Sequence, residues 1–300
     1  MKHLLFIYNP NAGKGLVKNN LSDIVDIFVK EGYFVSIYPT QGRLDAKKHV
    51  MRYGENYKLI VCCGGDGTLN EVVSGVMTLQ RKPGIGFIPA GSTNDFAQSL
   101  ALPKNMLKAA RVAVTGSVFP VDVGEFDKKP FIYIAAFGAF TEVSYTTSQD
   151  KKNLFGHSAY IMEGIKSLPS LKAHHMVLRY RDTVIEDDFV YGMITNTLSV
   201  GGFKGLTGQR VSLDDGMFEC LFIKEPRNAM EWQQIISALL GVNDKNDRII
   251  SFKASKIFVK SKERLPWVLD GEYGGTTNKV IIRNHRRAVE IIANWEKMFS

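Results

Sequence analysis

Three cysteines in 300 residues are too few and too badly spaced to build on. Cys62 and Cys63 are adjacent in an apolar run and Cys220 stands far away, which excludes a disulfide framework and zinc-ligand spacing. Long hydrophobic runs are also missing. The longest, from Phe131 to Phe140, is about half the ~20 residues a spanning helix needs. The first apolar run, Leu4 to Tyr8, ends in an Asn-Pro turn, which argues against a signal peptide, and the Met1-Lys2 start and cysteine-free end offer no lipidation signal. His3, His49, His157, His174, His175 and His285 show no ligand periodicity. No low-complexity segment or internal repeat is present, and neither G-x-x-x-x-G-K-[ST] nor G-x-G-x-x-G occurs. These absences point to a cytoplasmic protein with ordinary packed cores.

What is present concentrates in one octet. Gly64-Gly65-Asp66-Gly67-Thr68-Leu69-Asn70-Glu71 follows the apolar Leu59-Ile60-Val61-Cys62-Cys63. A buried strand ending in glycines lets backbone approach a ligand with no Cβ in the way. Leu69, Val72, Val73 and Val76 recur at helical spacing, so a helix is expected from Thr68, its first N–H groups facing an anion. Asp66 is expected on an exposed turn, where a carboxylate beside a phosphate cradle implies a divalent cation or a proton-handling role. The plain alternative is a tight turn closed by a Thr68–Glu71 capping box.

Two similar turns flank it. Asn9-Pro10-Asn11-Ala12-Gly13-Lys14-Gly15 follows the strand-like Leu4–Tyr8, and Pro89-Ala90-Gly91-Ser92-Thr93-Asn94-Asp95-Phe96-Ala97 follows Ile85–Ile88. Three small-residue turns at the carboxyl ends of three strands form the binding edge of an open parallel sheet. Together with Asn196, Gly201-Gly202, Leu213-Asp214-Asp215-Gly216-Met217-Phe218 and Leu269-Asp270-Gly271-Glu272, these motifs resemble, in order and spacing, the diacylglycerol kinase catalytic-domain family, nearest to its bacterial lipid kinases. The resemblance runs through essentially the whole chain. It specifies the family much more sharply than the lipid.

Period changes divide the chain. From residue 1 to about 122, strands alternate with helices near 16–30, 43–54, 68–79, 93–100 and 105–115, the pattern of a parallel sheet covered on both faces. After Val121 the pattern turns strand-rich, interrupted by helices near 158–168 and 229–240. The expected fold is α/β: an N-terminal three-layer α/β/α nucleotide-binding domain with a mostly parallel sheet, then a β-sandwich-like domain over 123–287 for the lipid. Relatives return their C-terminus to the first domain, and Val289–Trp295, within about 288–300, is placed to do so here.

The resemblance implies specific roles. Asn9, Pro10, Asn11, Ala12, Gly13, Thr40, the stretch Gly65, Asp66, Gly67, Thr68, Leu69, Asn70, Glu71, and Ser92 become ATP contacts, with Ser92 where many relatives have threonine. The Asp270-Gly271-Glu272 motif becomes the proton acceptor. An extended backbone would place both acids on one face, with Glu272 favoured as the base and Asp270 supporting it or the reverse. Asp215, through its side chain, with Ser212 and Met217 through carbonyls, becomes a structural Mg²⁺ site, although Asp-Asp-Gly alone is also a favoured β-turn. The implied reaction is ATP- and Mg²⁺-dependent phosphorylation of diacylglycerol to phosphatidic acid. The alternatives are another acceptor (a sphingoid base, another glycerolipid or NAD) or a regulator that binds nucleotide or lipid without turnover. Lys14 beside Gly13 is either a phosphate contact or solvated.

The net charge of +8 gathers at Lys253, Lys256, Lys260, Lys262 and Arg264, and at Arg283, His285, Arg286 and Arg287. With no nucleic-acid-binding motif beside it, this charge reads as attraction to an anionic membrane surface, so the protein is expected at the inner face of the membrane as a peripheral partner. Dimers are usual among the bacterial relatives. No sequence pattern here demonstrates one.

Overall fold

The computed structural model describes residues 2–91, 94–138, 172–197, 211–239 and 246–294. Ser92, the helix expected near 158–168, Gly201-Gly202 and the end beyond 294 lie outside them. The fold is mixed α/β and mostly sheet. It separates into two compact units, Met1–Asp122 with Arg287–Ser300, and Val123–Arg286.

In the first unit, β1 (Lys2–Tyr8), β2 (Tyr33–Pro39), β3 (Leu59–Gly64) and β4 (Gly84–Pro89) pair in parallel in the order β4–β3–β1–β2. All six residues of β3 are buried, as a strand covered on both faces requires. One face packs Leu4, Phe6, Leu59 and Val61 against Val17, Ile24 and Phe28 of α1 (Leu16–Lys30) and Ala109, Ala110 and Ala113 of α5 (Met106–Thr115). Toward the opposite face, Ile60 meets the region of Val50 on α2 (Asp45–Tyr53), which packs on α3 (Asp66–Val76). After the short α4 (Asp95–Ser99), Asn105 caps α5 by accepting from the Lys108 amide at 3.0 Å.

Helix α3 begins at Asp66 rather than Thr68, because Gly65 takes the cap position and accepts from the Thr68 and Leu69 amides at 3.0 and 3.1 Å. The capping-box alternative fails with it. Glu71 instead accepts from the Leu44 and Ala46 amides at 2.6 and 3.1 Å, capping α2. Ile291 and Ile292, at the end of the long β13 (Glu272–Ala293), pair in parallel with Ile85 and Gly86, adding the last stretch of chain to the first unit.

The second unit is antiparallel. It is built from the later part of β5 (Ser117–Phe126), β6 (Lys129–Phe131), β7 (Ile134–Phe137), β8 (His174–Tyr180), β9 (Thr183–Thr195), β10 (Phe218–Lys224), β11 (Ile249–Ala254), β12 (Lys256–Leu269) and the first part of β13. Hydrogen bonds run β11–β10–β9–β7–β12–β13, and β8 shares the lane of β7 by pairing with both β9 and β12. Among the described residues these strands follow one hydrogen-bonded path and share a core. Phe131, Phe137, Phe189, Phe218, Phe222 and Trp267 fill that core. One described helix, α6 (Ala229–Leu239), adds Ile235 and Leu239 as buried residues. No helix among the described residues is long and apolar enough to cross a membrane.

Candidate functional site

Three loops meet at the carboxyl ends of β1, β3 and β4. The Asn9 amide donates to the Cys63 carbonyl at 2.9 Å, and the Ala90 amide to the Gly64 carbonyl at 2.8 Å. A Cβ on Gly91 would stand 2.7 Å from the Gly65 Cα, and one on Gly13, whose φ is +57°, would stand 2.6 Å from the Ala90 oxygen. Backbone therefore packs on backbone. Glycine is required at both positions for proximity, and at Gly13 for its left-handed conformation as well. The Thr40 amide donates to the Tyr8 carbonyl at 2.9 Å, which brings Thr40 to the same edge.

Side chains fix these loops. Asn9 accepts from the Asn11 amide at 2.9 Å. Asn94, at φ +51°, clamps its own loop by accepting from the Gly91 amide at 2.9 Å and donating to the Gly91 carbonyl at 2.7 Å. Asp66 is buried, with only 7% exposure, which corrects the expectation of an exposed turn. The reason is the Asp95 amide, which donates to its Oδ2 at 2.9 Å and folds the β4 loop over it. Asp95 is equally buried, so two acidic residues sit side by side where the first turn of α3 presents its amides. Sequence reasoning alone does not single out Asp95. Its signal was its place in the Asn94-Asp95 pair closing the third turn.

The stretch Gly65–Glu71 does not act as one surface. Leu69 is fully buried in the core and its amide is committed to Gly65; Asn70 accepts from the Ser74 hydroxyl at 3.2 Å; Glu71 caps α2. Gly65, Asp66, Gly67 and Thr68 are the members that face the loop edge by position. Burial pushes the Cys63 thiol up to about 12 and raises that of Cys62, so neither is a nucleophile.

The second unit holds the other acids. Asp270 and Gly271, at φ +50° and +80°, form a tight two-residue turn joining β12 to β13, with Leu269 opposite Glu272. The segment is not extended, so the two carboxylates do not share a face by strand alternation. Asp270 is buried. Its Oδ2 accepts from the Ile132 amide at 2.7 Å, and its Oδ1 from the Tyr133 and Ile134 amides at 3.0 and 3.1 Å. The Asp270 amide in turn donates to the Ile134 carbonyl at 2.9 Å. This acid clamps the β6–β7 connection. Glu272 is exposed.

The expected cation turn lies in the same unit. Asp215 Oδ1 accepts from the Met217 amide at 2.9 Å, Ser212 donates to Asp214 at 2.8 Å, and Gly216 turns at φ +83°. Lys253 approaches Asp215 Oδ2 at 3.7 Å and pairs with Glu219 at 2.7 Å. Burial pushes Glu219 up to about 7 against the pull of that lysine. Among the described residues no group of three or more His, Cys, Asp or Glu side chains is arranged to hold a metal. The turn offers a hard cation one carboxylate already answered by an ammonium, a partial fit.

Comparison with known proteins gives this geometry its place. Residues 3–126 match the model of the diacylglycerol kinase catalytic domain. The chain is 36% identical over 280 residues to the diacylglycerol kinase of Bacillus subtilis (strain 168), covering 92% of this chain and 91% of that one. It is 36% identical to the diacylglycerol kinase of Staphylococcus carnosus (strain TM300) over 91% of this chain and 90% of that one. In structure it is similar to a candidate diacylglycerol kinase of Bacillus anthracis str. Sterne, with a TM-score of 0.84 at 27% identity, covering 98% of this chain and 95% of that one. With its glycine-packed loop edge and an ordered match over nine-tenths of its length, the chain belongs to the diacylglycerol kinase family, phosphotransferases that act on an alcohol.

Proposed function

We propose that this chain transfers the γ-phosphoryl group of ATP, with Mg²⁺, to the hydroxyl of diacylglycerol, giving phosphatidic acid and ADP. The backbone-on-backbone packing of Gly13, Gly65 and Gly91 carries the reading, because a loop edge stripped of Cβ atoms over a helix N-terminus suits a polyphosphate. In this assignment the first unit is the three-layer α/β/α half that holds nucleotide through Asn9–Gly13, Thr40, Gly65–Thr68 and Ser92. The second is the β-sandwich-like half that serves the lipid. Asp66, with Asp95 beside it, would supply carboxylate oxygen to a Mg²⁺, which would neutralise the phosphates.

The proton goes to Glu272. Both Asp270 oxygens already accept from three amides, so Asp270 positions the hairpin while Glu272 remains exposed at its end. As the lipid oxygen bonds to the γ-phosphorus, its proton passes to the Glu272 carboxylate and the bond to the bridging β,γ-oxygen breaks toward ADP. A structural Mg²⁺ at Asp215, Ser212 and Met217 would rigidify the turn before β10. No step of the transfer passes through it.

Burial and ion pairing narrow which cations would serve a membrane contact. Lys253 is engaged with Glu219, so the attraction to anionic lipid falls to Lys256, Lys260 and Lys262, which alternate outward along β12. Lys279 lies beside Phe258 on the neighbouring strand. An ATP-consumption assay with diacylglycerol micelles, sphingosine micelles, NAD and no acceptor tests the whole reading. Turnover with diacylglycerol alone is expected, and turnover with NAD or with none of them overturns it. Co-sedimentation with anionic vesicles, weakening as salt rises, tests the membrane part.

A further inference from the structure

Among the described residues each unit carries a surface cleft, and the two differ in the kind of their charge. In the second unit, a cleft of about 560 Å³ is lined by Lys224, Arg227 and Arg248 together with Glu231 and Asp247. That cleft neutralises itself. Arg248 pairs with Glu231 at 2.9 Å, and Lys224 with Asp187 at 2.8 Å. The other cleft, of about 430 Å³, lies in the first unit and is lined by His3, Asn56, Tyr57, Lys58, Arg81 and Lys82 with no acid among them. It opens at the amino ends of β1, β3 and β4. The glycine loops occupy the carboxyl ends of the same strands, roughly 20 Å away at the rise of a seven-residue strand.

The cationic groups here are held by backbone, not by counter-charges. The Arg81 guanidinium donates to the Glu55 carbonyl, and the Lys82 ammonium to the Ala288 carbonyl at 2.8 Å. The Glu55 carboxylate accepts from the Gln80 and Arg81 amides at 2.8 and 3.4 Å, which fixes the Arg81 loop. Lys58 has no ion-pair or hydrogen-bond partner among the described side chains, and its own backbone is pinned between His3 and Gly84. Carbonyl acceptors orient a cation without cancelling its charge. The two held cations, Arg81 and Lys82, and the Lys58 ammonium repel one another around one concavity, and a bound anion relieves that repulsion.

We infer that this amino-edge cleft is a second anion site, which takes a phosphomonoester or inorganic phosphate. Arg81 offers its remaining guanidinium N–H groups as a fork, Lys58 its free ammonium, and Tyr57 and Asn56 polar neighbours at the wall. The size suits a phosphate with a small substituent. The site stands apart from the catalytic reading, since none of these residues belongs to the glycine-loop edge or the Asp270 hairpin.

Calorimetric titration with inorganic phosphate tests it, run with a saturating non-hydrolysable ATP analogue so that the glycine loops are filled. Because the phosphate group can also arrive on a lipid, a second arm sediments the protein with phosphatidic acid vesicles and with purely phosphatidylcholine vesicles. The double variant Lys58→Glu/Arg81→Glu is compared with Lys104→Glu/Lys108→Glu, which makes the same charge change on exposed residues of the same unit. Saturable phosphate binding that weakens about tenfold or more in the first variant and not in the second supports a soluble ligand. Phosphatidic acid binding that is lost only in the first variant supports the lipid source. If neither probe separates the two variants, the cleft is not an anion site.

Discussion

Asp66 in the first unit and Asp270 in the second follow strands, precede or flank glycine, and are equally buried at 7% exposure. Their surroundings differ. Asp66 sits in the first turn of a helix, receives the Asp95 amide, and lies where three loops bring backbone amides to one edge. Asp270 sits in a left-handed hairpin turn with three amides of a single neighbouring connection on its two oxygens. One carboxylate is held beside a second acid at the edge where the glycine loops meet. The other is spent on holding the chain together. A glycine-flanked acid thus carries no fixed meaning until its acceptors are counted.

The largest effects should come from separating Asp270 from Glu272. Asp270→Ala leaves three buried amides unanswered, at about 1–3 kcal/mol for each donor left unpaired. Thermal unfolding should therefore show a loss of at least about 3 kcal/mol, with Asp270→Asn intermediate. Glu272 is exposed, so Glu272→Gln should leave the melting temperature nearly unchanged. Its turnover should fall by two or more decades, on the order of a general base's contribution, with ATP affinity preserved. A stable Asp270→Ala protein, or a Glu272→Gln protein with wild-type turnover, would reverse the division of labour.

Next is the packing of the loops. Gly91→Ala places a methyl group against the Gly65 Cα, a backbone atom, and against the Asn94 side-chain oxygen that clamps the loop. Overpacking of this kind costs about 1–3 kcal/mol, and the displaced β4 loop should weaken ATP binding about tenfold. The same change at Gly84, which has no left-handed φ and would meet only side-chain carbons at 3.6 and 3.7 Å, is the control for an added Cβ without a close contact. Equal nucleotide affinity in the two variants would show that the close approach of the loops is incidental to binding.

A finer cut falls on Asp66 itself. Asp66→Asn keeps an oxygen for the Asp95 amide but removes the charge, so it should fold normally and lose turnover at every Mg²⁺ concentration. Asp66→Ala also strips the amide of its acceptor and should lose about 1–3 kcal/mol as well. Had the acid been exposed, the two variants would unfold alike. A circular dichroism melt of both, set against their steady-state rates, distinguishes a chemical carboxylate from a structural one.

Much of this was legible in the sequence, and the failures share a cause. The three glycine turns, the α/β-to-β change near residue 122 and the helices over 16–30 and 229–239 follow from periodicity, because each element buries one face of its own. What the pattern cannot show is where a side chain spends its hydrogen bonds. Thr68 and Glu71 spell a capping box, yet Gly65 starts the helix and Glu71 reaches a helix 25 residues upstream. Asp270-Gly271-Glu272 spells an acidic strand end, yet the Asp-Gly pair adopts the left-handed turn its composition favours. Each error concerns a polar group whose partner is distant in sequence.

The smallest effect is expected where carboxylates hold a charge at the surface of the second unit, and it calibrates the buried case. His175 lies between Asp188 Oδ1 at 3.0 Å and Glu186 Oε1 at 3.1 Å, half exposed on β8. The hydrogen bonds to Glu186 and then Asp188 hold its imidazolium above the ordinary value of 6.5. A histidine whose folded value is raised contributes stability that is fully present below 6.5 and is lost as pH rises through the folded value. Its neighbour His174 is shifted the other way, by burial, so the two must be separated by mutation. Against His175→Gln, the wild-type protein should melt about a degree higher near pH 5.5, and the difference should vanish by about pH 9, since exposed pairs are solvent-screened. The gap should also narrow in high salt. If His175→Gln instead lowered the melting point as much as Asp270→Ala, at every pH, surface carboxylates would be carrying as much of the fold as the buried clamp, and the contrast between the two kinds of acid would collapse.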